Sequence, residues 1–196
     1  MSQKIEDYAL IGDTHTAALV GRDGSVDWLC VPRFDSAACF AALLGTSEHG
    51  RWLLAPQDGG PATRRQYRPA ALVLDQEWDT ASGSVRVTDF MPPRHHRPRV
   101  FRIVEGLRGS VEMGTEVVVR FEYGSQFPWV VQTEHGIRAV AGPDALELDS
   151  PVELKGSDMR HRAVFTVKEG DRLCFRLGWA PSYEEPGRDL DCDRSL

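Results

Sequence analysis

Arg33, Phe34 and Asp35 place a cation, an aromatic ring and a carboxylate on three consecutive residues, and Trp28 lies shortly before them. A sugar offers an apolar ring face and several hydroxyl groups, so an aromatic side chain beside charged groups is suited to bind it. A structural interpretation fits the same residues: Trp28 lies in the core, Phe34 closes the end of a sheet, and Arg33 and Asp35 pair with each other or cap a helix. The residue types alone leave both interpretations open.

Carboxylates that could serve glycoside hydrolysis are numerous, and Asp27, Asp35 and Asp89 could all face a sugar pocket. The inverting reaction needs a general acid and a general base about 6.5–9.5 Å apart. Counting acidic residues cannot identify such a pair. The sequence contains no G-x-S-x-G, P-loop, G-x-G-x-x-G or H-E-x-x-H motif, so we expect no cofactor.

The six histidines do not follow a metal-binding pattern. Two ligands on one strand would have to stand at i and i+2 to face the same side. The adjacent His95 and His96 would point to opposite faces of a strand. We therefore expect no metal site and interpret the segment around these two histidines as a solvated basic loop.

A hairpin is predicted to position the candidate residues. The Asp23-Gly24 pair is typical of a tight turn, because glycine adopts positive φ at little cost. Pro32 ends the second strand, since proline lacks the N–H that a strand ladder needs. Residues 36–44 are then predicted to form a short α-helix with Ser36 as its N-cap.

Alternation of apolar and polar residues over positions 111–123 is the clearest pattern in the chain. This period of two predicts a long antiparallel strand with one face toward a core, because an amphipathic helix needs apolar positions at i, i+3 and i+4. Residues 163–179 predict a second hairpin. The whole pattern predicts an all-β, antiparallel two-sheet β-sandwich over residues 1–182 with one short α-helix. Residues 183–196 are acidic and are predicted to form a mobile tail.

Bulk composition narrows the class of protein. The chain has 196 residues, of which 41% are hydrophobic and 27% are charged, which is ordinary for a globular protein. The net charge of −6 argues against nucleic acid or an anionic membrane as a main partner. With no signal peptide or long apolar run in view, we expect a soluble cytoplasmic protein. In that reducing compartment the four cysteines are expected to be thiols: Cys30, Cys39, Cys174 and Cys192. Four tryptophans are expected in the core: Trp52, Trp78, Trp129 and Trp179.

Several blocks of sequence carry a family resemblance. The first are IEDYALIGD at 5–13, TAALV at 16–20, DGSVDWLC at 23–30 and PRFDS at 32–36. Later ones are GRW at 50–52, VTDFMP at 87–92, RIVEGL at 102–107 and VRFEYG at 119–124. Together they resemble the amino-terminal β-sandwich domain of the bacterial trehalase and glucoamylase-like proteins of glycoside hydrolase family 15. The resemblance runs from about residue 5 to residue 179.

The resemblance implies a non-catalytic, supersandwich-like domain. In the family, the sandwich precedes an (α/α)6 barrel that carries the two catalytic glutamates. Twelve helices need about 200 residues of helical pattern, whereas this chain shows one short predicted helix, so no catalytic residue is expected in it. The implied partner is a family 15 catalytic barrel, on the same or a separate chain. The implied substrate is an α-glucoside, trehalose or an α-glucan.

The resemblance also bears on the site. It implies that the 33–35 loop lies toward the domain interface, which favours Trp28, Arg33, Phe34 and Asp35 as a wall of the substrate pocket or part of that interface. Asp89, Phe90 and Met91 end a strand beside the basic loop, and we predict that they pack at an interface rather than act in catalysis.

Two other functions stay open on the sequence. A stand-alone carbohydrate-binding or protein-interaction sandwich would expose a flat row of aromatic side chains, whereas a docking domain would expose an apolar patch beside the 33–35 loop. A self-sufficient enzyme would need a deep pocket with two carboxylates of perturbed pKa.

Overall fold

The computed structural model describes residues 3–94, 96–184 and 192 of the chain. Its strands are β1 Tyr8–Gly12, β2 Ala17–Gly21, β3 Ser25–Cys30, β4 Ala38–Phe40, β5 Arg51–Pro56, β6 Arg64–Tyr67, β7 Leu74–Asp79, β8 Gly83–Phe90, β9 Arg99–Val118, β10 Trp129–Thr133, β11 Gly136–Ala141, β12 Asp144–Asp149, β13 Lys155–Ser157, β14 Arg160–Lys168 and β15 Arg172–Pro181. Short 3-10 helices lie at Ile5–Asp7, Ala42–Leu44, Ser47–His49 and Glu122–Gly124. The predicted mobile tail lies outside the described residues, apart from Tyr183, Glu184 and Cys192.

Strand β9 is the centre of the fold. Its first half pairs with β8 and β15, and its second half pairs with β5 and β14, all antiparallel. Because one continuous strand serves both halves, hydrogen bonds connect all 15 described strands into one sheet. The halves pack on each other through Trp52 of β5 and Phe175 of β15, whose ring centroids lie 6.5 Å apart. The all-β antiparallel prediction is confirmed.

The predicted hairpin at residues 163–179 is wrong. Strands β14 and β15 do not pair with each other; β14 lies along residues 110–117 of β9 and β15 along residues 99–105. The short connection between them turns a corner of the sheet beside Gly106, where a Cβ would lie only 1.9 Å from the carbonyl oxygen of Lys168. In sequence, two alternating runs joined by a turn look the same in both cases: when they pair with each other, and when each pairs with a different part of a long third strand.

The first hairpin is confirmed, but the helix predicted after it is wrong. Strands β2 and β3 pair through the turn at Gly24, which has a φ of 81°. Ala38–Phe40 is strand β4 on the edge of β3, and only Ala42–Leu44 is helical, as one 3-10 turn. The physical reason is burial: Ala38, Cys39, Phe40 and Ala41 are fully buried. An eight-residue helix is marginal by itself, so tertiary packing decides its conformation.

The alternating run at residues 111–123 does not expose its polar face to solvent along its whole length. Val118 and Arg120 are as buried as Val117 and Val119, because the end of β9 is covered on both sides. The strand also begins earlier than predicted, at Arg99, and it ends at Val118.

The cysteines divide into two kinds. Cys30 and Cys39 are buried thiols, as predicted. Cys174 and Cys192 form a disulfide, so the prediction of four thiols is wrong. Cys174 of β15 and Cys192 pack against the same cluster of Phe90, Phe101 and Ile103, which brings them together. Their spacing in the sequence gave no sign of a pair.

A cluster of charges joins three strands through Glu116 of β9. Its carboxylate accepts hydrogen bonds from Arg51 of β5 at 2.8 Å and from Arg162 of β14 at 2.8 Å, with Arg160 at 3.3 Å. Burial acts to raise the pKa of Glu116, but the hydrogen bonds and charges of these arginines outweigh it and lower the pKa from 4.5 to about 2.

Glu116 is therefore expected to make stability depend on pH. Because its folded pKa is depressed, the stabilisation is present above the unfolded value near 4.5 and is lost as pH falls through the folded value of about 2. Glu116→Gln should lower the free energy of unfolding by about 1–2 kcal/mol at neutral pH, an estimate reduced for the solvent exposure of Arg162. Urea unfolding of both proteins from pH 7 to pH 2.5 measures this. A difference that stays constant over that range would contradict the role of Glu116.

Candidate functional site

The 33–35 loop projects from the end of β3 and is held mainly by its backbone. The N–H of Phe34 donates to the carbonyl oxygen of His15 at 3.1 Å, and the N–H of Ser36 donates to that of Arg33 at 3.1 Å. The hydroxyl of Ser36 accepts from the N–H of Arg33 at 3.1 Å. Ser36, predicted to cap a helix, thus closes a tight turn instead.

The side chains of this loop are open to solvent. Arg33 and Asp35 form a two-pronged ion pair, with Nε to Oδ1 at 2.9 Å and Nη2 to Oδ2 at 3.0 Å. Both side chains are largely exposed, Arg33 at 68% and Asp35 at 70%. Phe34 is 63% exposed, so its ring does not close the end of a sheet. The loop thus exposes an aromatic face and a charged pair to solvent, outside the packed core.

Trp28 packs against the neighbouring strands and is not part of the exposed loop. Its half-buried ring packs against Cys30, Ala38 and Ala41. It also contacts the ring of Tyr123, with centroids 6.1 Å apart. Among the ring contacts of the described residues, none joins Trp28 to Phe34. The four predicted site residues are therefore split between a packed tryptophan and an exposed loop.

Asp89, Phe90 and Met91, which were predicted to pack at an interface, are buried inside this chain. Asp89 is fully buried and accepts from Nε of Arg102 at 2.8 Å. Phe90 stacks on Phe101 with centroids 5.1 Å apart, and Met91 is buried in the main core. The end of β8 is therefore buried within this chain: Asp89 faces Arg102, and Phe90 packs in a cluster with Phe101 and Ile103.

Arg102 is a buried residue that the sequence gave no reason to single out. Its guanidinium donates to the carbonyl oxygens of Trp52 at 2.8 Å and Gly24 at 2.7 Å. It also lies 5.0 Å from the centre of the Trp52 ring. The cation thus ties the turn of the first hairpin and strand β5 to strand β8, through Asp89.

The three carboxylates considered for hydrolysis are engaged separately. Asp27 accepts hydrogen bonds from the hydroxyls of Tyr8 at 2.7 Å and Ser25 at 2.5 Å. Burial raises the pKa of Asp27, and these two hydrogen bonds oppose that effect. Asp35 pairs with Arg33 on the surface, and Asp89 pairs with Arg102 in the core. Each carboxylate thus has a structural partner of its own.

A second group of exposed aromatic residues follows Tyr123 in the chain. Trp129, expected in the core, is 76% exposed, and Phe127 is 56% exposed with Arg120 lying 4.4 Å from its ring centre. Both rings flank Pro128 on the way into the edge strand β10. The sequence signal for this exposed group was a pair of aromatic residues on either side of a proline. Trp52 and Trp78 are buried, as expected.

Two further features are absent from the described residues. In that part of the chain, no group of three or more His, Cys, Asp or Glu side chains is arranged to hold a metal ion. Nor does any helix there have the length and apolar character to cross a membrane.

Comparison with known proteins gives a consistent family. A family model described as trehalase-like, N-terminal, matches residues 1–176. The trehalase of Mycobacterium tuberculosis is 30% identical over a match that covers 89% of this chain and 30% of that protein. The trehalase of Mycolicibacterium smegmatis is 30% identical, covering 92% of this chain and 32% of that protein. A trehalase of Thermoplasma volcanium is also 30% identical, over 79% of this chain.

The chain spans about a third of the length of the curated relatives that it matches. Strands β1 to β14, the first hairpin and the exposed loop after β3 fall within the residues that the family model covers, which end inside β15. The chain therefore belongs to the trehalase-like N-terminal family.

Proposed function

We propose that this chain is the non-catalytic N-terminal domain of a trehalase-type hydrolase of glycoside hydrolase family 15. It docks on the catalytic part of that enzyme and helps to shape the pocket for an α-glucoside. The observation that carries this proposal is the match of residues 1–176 to a domain that makes up about a third of the related trehalases.

The exposed 33–35 loop is the proposed contribution to the pocket. Phe34 offers a ring face to the apolar side of a sugar, and the paired Arg33 and Asp35 offer hydrogen bonds to its hydroxyls. Because hydrogen bonds of its backbone hold the loop, it is ordered before any sugar binds. This arrangement reduces the entropy that binding must overcome.

A carbohydrate-binding module that acts alone is the second candidate. The exposure of Phe34 and Trp129 favours it, because flat aromatic faces are what such a module presents. It differs from the first proposal in a simple way: the isolated chain would bind sugar with measurable affinity, whereas a docking domain supplies only part of a pocket.

The isolated chain is expected to release no glucose from trehalose, maltose or soluble starch. Asp27, Asp35 and Asp89 are each committed to a structural partner, which leaves no free pair of carboxylates among them. Purified chain assayed for glucose, with isothermal titration of trehalose alongside, measures both properties. Saturable glucose release would refute the non-catalytic role, and tight binding by the isolated chain would favour the module that acts alone.

A further inference from the structure

A pocket of about 290 Å³ lies beside the exposed aromatic residues and plays no part in the site described above. Its apolar walls are Val119, Pro128, Trp129, Val130 and Met159, and its polar lining is Arg120 and His161. The walls come from the segment after β9, the start of β10 and the turn before β14. We call this the Trp129 pocket.

Arg120 is the unusual member of this pocket. The side chain is only 3% exposed, yet its Nε has no hydrogen-bond partner in the described part of the protein. Its Nη1 donates to the carbonyl oxygens of Val119 at 2.8 Å and Met159 at 3.1 Å. A buried guanidinium N–H without an acceptor is unfavourable, and because Arg120 lines the pocket, an oxygen bound in the pocket would give this cation an interaction that the chain does not supply.

The backbone around the pocket also favours a role other than stability. Met159 has a φ of 59°, and Asp158 before it has a φ of 51°. They are the two central residues of the tight turn between β13 and β14, where glycine or asparagine is preferred. Met159 is nevertheless 61% exposed, so an apolar side chain stands in water on a backbone that disfavours it.

Further exposed aromatic residues lie between Arg120 and Trp129 in the chain, and one of them contacts Trp28. Tyr123 is 48% exposed, also lies in the left-handed region at a φ of 57°, and contacts Trp28. Phe127 lies between Tyr123 and Trp129 in the chain and covers the guanidinium of Arg120. A patch of this kind, apolar with one buried cation, is typical of an interaction surface.

We infer that the Trp129 pocket is the surface on which the catalytic part of a trehalase-type enzyme docks, through an apolar segment that carries a carboxylate or carbonyl oxygen for Arg120. This inference rests on the proposed function. A sugar fits less well, because five apolar walls would leave most of its hydroxyls without partners. A second copy fits less well too, since patch against patch would bring two Arg120 cations together.

Hydrogen exchange on a chimera tests the inference. In the chimera, this chain replaces the matching region of the Mycolicibacterium smegmatis trehalase. Exchange in residues 119–131 and 157–161 is compared between the chimera and the isolated chain. Docking at the Trp129 pocket should slow exchange in both segments by about tenfold or more. Slowing confined to other segments would overturn the inference but leave docking intact, and no slowing anywhere would overturn docking as well.

Two variants of the chimera sharpen the result. Met159→Gly removes the apolar side chain and suits the positive φ, so the isolated variant should keep its melting temperature while the slowing in the chimera is lost. Trp129→Ser should also abolish it. Val164→Ser is the matched control, because Val164 is 60% exposed on β14 outside the pocket, and it should change nothing. Equal effects of Val164→Ser and Met159→Gly would contradict the inference.

The two rival occupants are checked on the isolated chain. Sedimentation velocity would reveal a dimer, and trehalose titration followed by tryptophan fluorescence would reveal a sugar. A dimer that Trp129→Ser dissociates, or a trehalose signal that it removes, would overturn the assignment of the pocket to the catalytic part.

Discussion

Asp89→Ala is expected to lower the free energy of unfolding by about 3–5 kcal/mol, the usual effect of removing one partner of a buried ion pair. Asp89 and Arg102 are both fully buried, and Nε of Arg102 lies 2.8 Å from Oδ1 of Asp89. Without the carboxylate, a cation remains in the core with only the carbonyl oxygens of Trp52 and Gly24 as hydrogen-bond acceptors. The desolvated charge then destabilises the folded state.

The measurement is urea unfolding, followed by tryptophan fluorescence and by circular dichroism. The matched control is Asp35→Ala, which removes a carboxylate from an ion pair that is exposed on both sides. Exposed pairs stabilise proteins by less than about 1 kcal/mol, so this control should unfold near the wild-type midpoint. If the two variants lose similar stability, then the Asp89–Arg102 pair does not hold the two halves of the sheet together.

The second large effect concerns catalysis. In the chimera with the Mycolicibacterium smegmatis trehalase, Arg33→Ala and Asp35→Ala should each lower kcat/KM for trehalose by about ten- to a hundredfold. A hydrogen bond from a charged group to a sugar hydroxyl contributes about 1.5–3 kcal/mol, which corresponds to that range. The same changes should leave the melting temperature of the isolated chain almost unchanged, because the loop is held by its backbone.

Arg64→Ala is the matched control for this comparison. Arg64 is also an exposed arginine in an ion pair, with Glu77 at 3.3 Å and a side-chain exposure of 69%, but it lies on strand β6. It should leave kcat/KM within about twofold of the parent chimera. If Arg33→Ala and Asp35→Ala lower the melting temperature and leave kcat/KM intact, the loop is a structural turn and not part of a pocket.

Local signals in the sequence were sufficient for part of this fold. The Asp23-Gly24 turn predicted the first hairpin, since the preference of glycine for positive φ acts within four residues. Alternation predicted the long strand β9, although its limits were wrong. The helix at residues 36–44 was wrong because small apolar residues are compatible with either conformation, and their complete burial favoured a strand.

Features that depend on distant parts of the chain could not be read from the sequence. The pairing of β14 and β15 with opposite halves of β9 depends on a corner at Gly106, which no local pattern marks. The same holds for Arg102, which is charged yet fully buried, and for Trp129, which is aromatic yet exposed. The end of β3 before the 33–35 loop could be predicted because Pro32 marks it locally, whereas the exposure of Phe34 was left open by the residue types.

Trehalose hydrolysis by four proteins tests the central claim most directly: the Mycolicibacterium smegmatis trehalase, the same enzyme without the region that matches this chain, the chimera, and the isolated chain. We predict that the deletion lowers kcat/KM by about tenfold or more, because part of the pocket wall and the docked domain are gone. The chimera should recover most of that loss, while the isolated chain releases no glucose. Full activity of the deletion protein, or saturable glucose release by the isolated chain, would contradict the account.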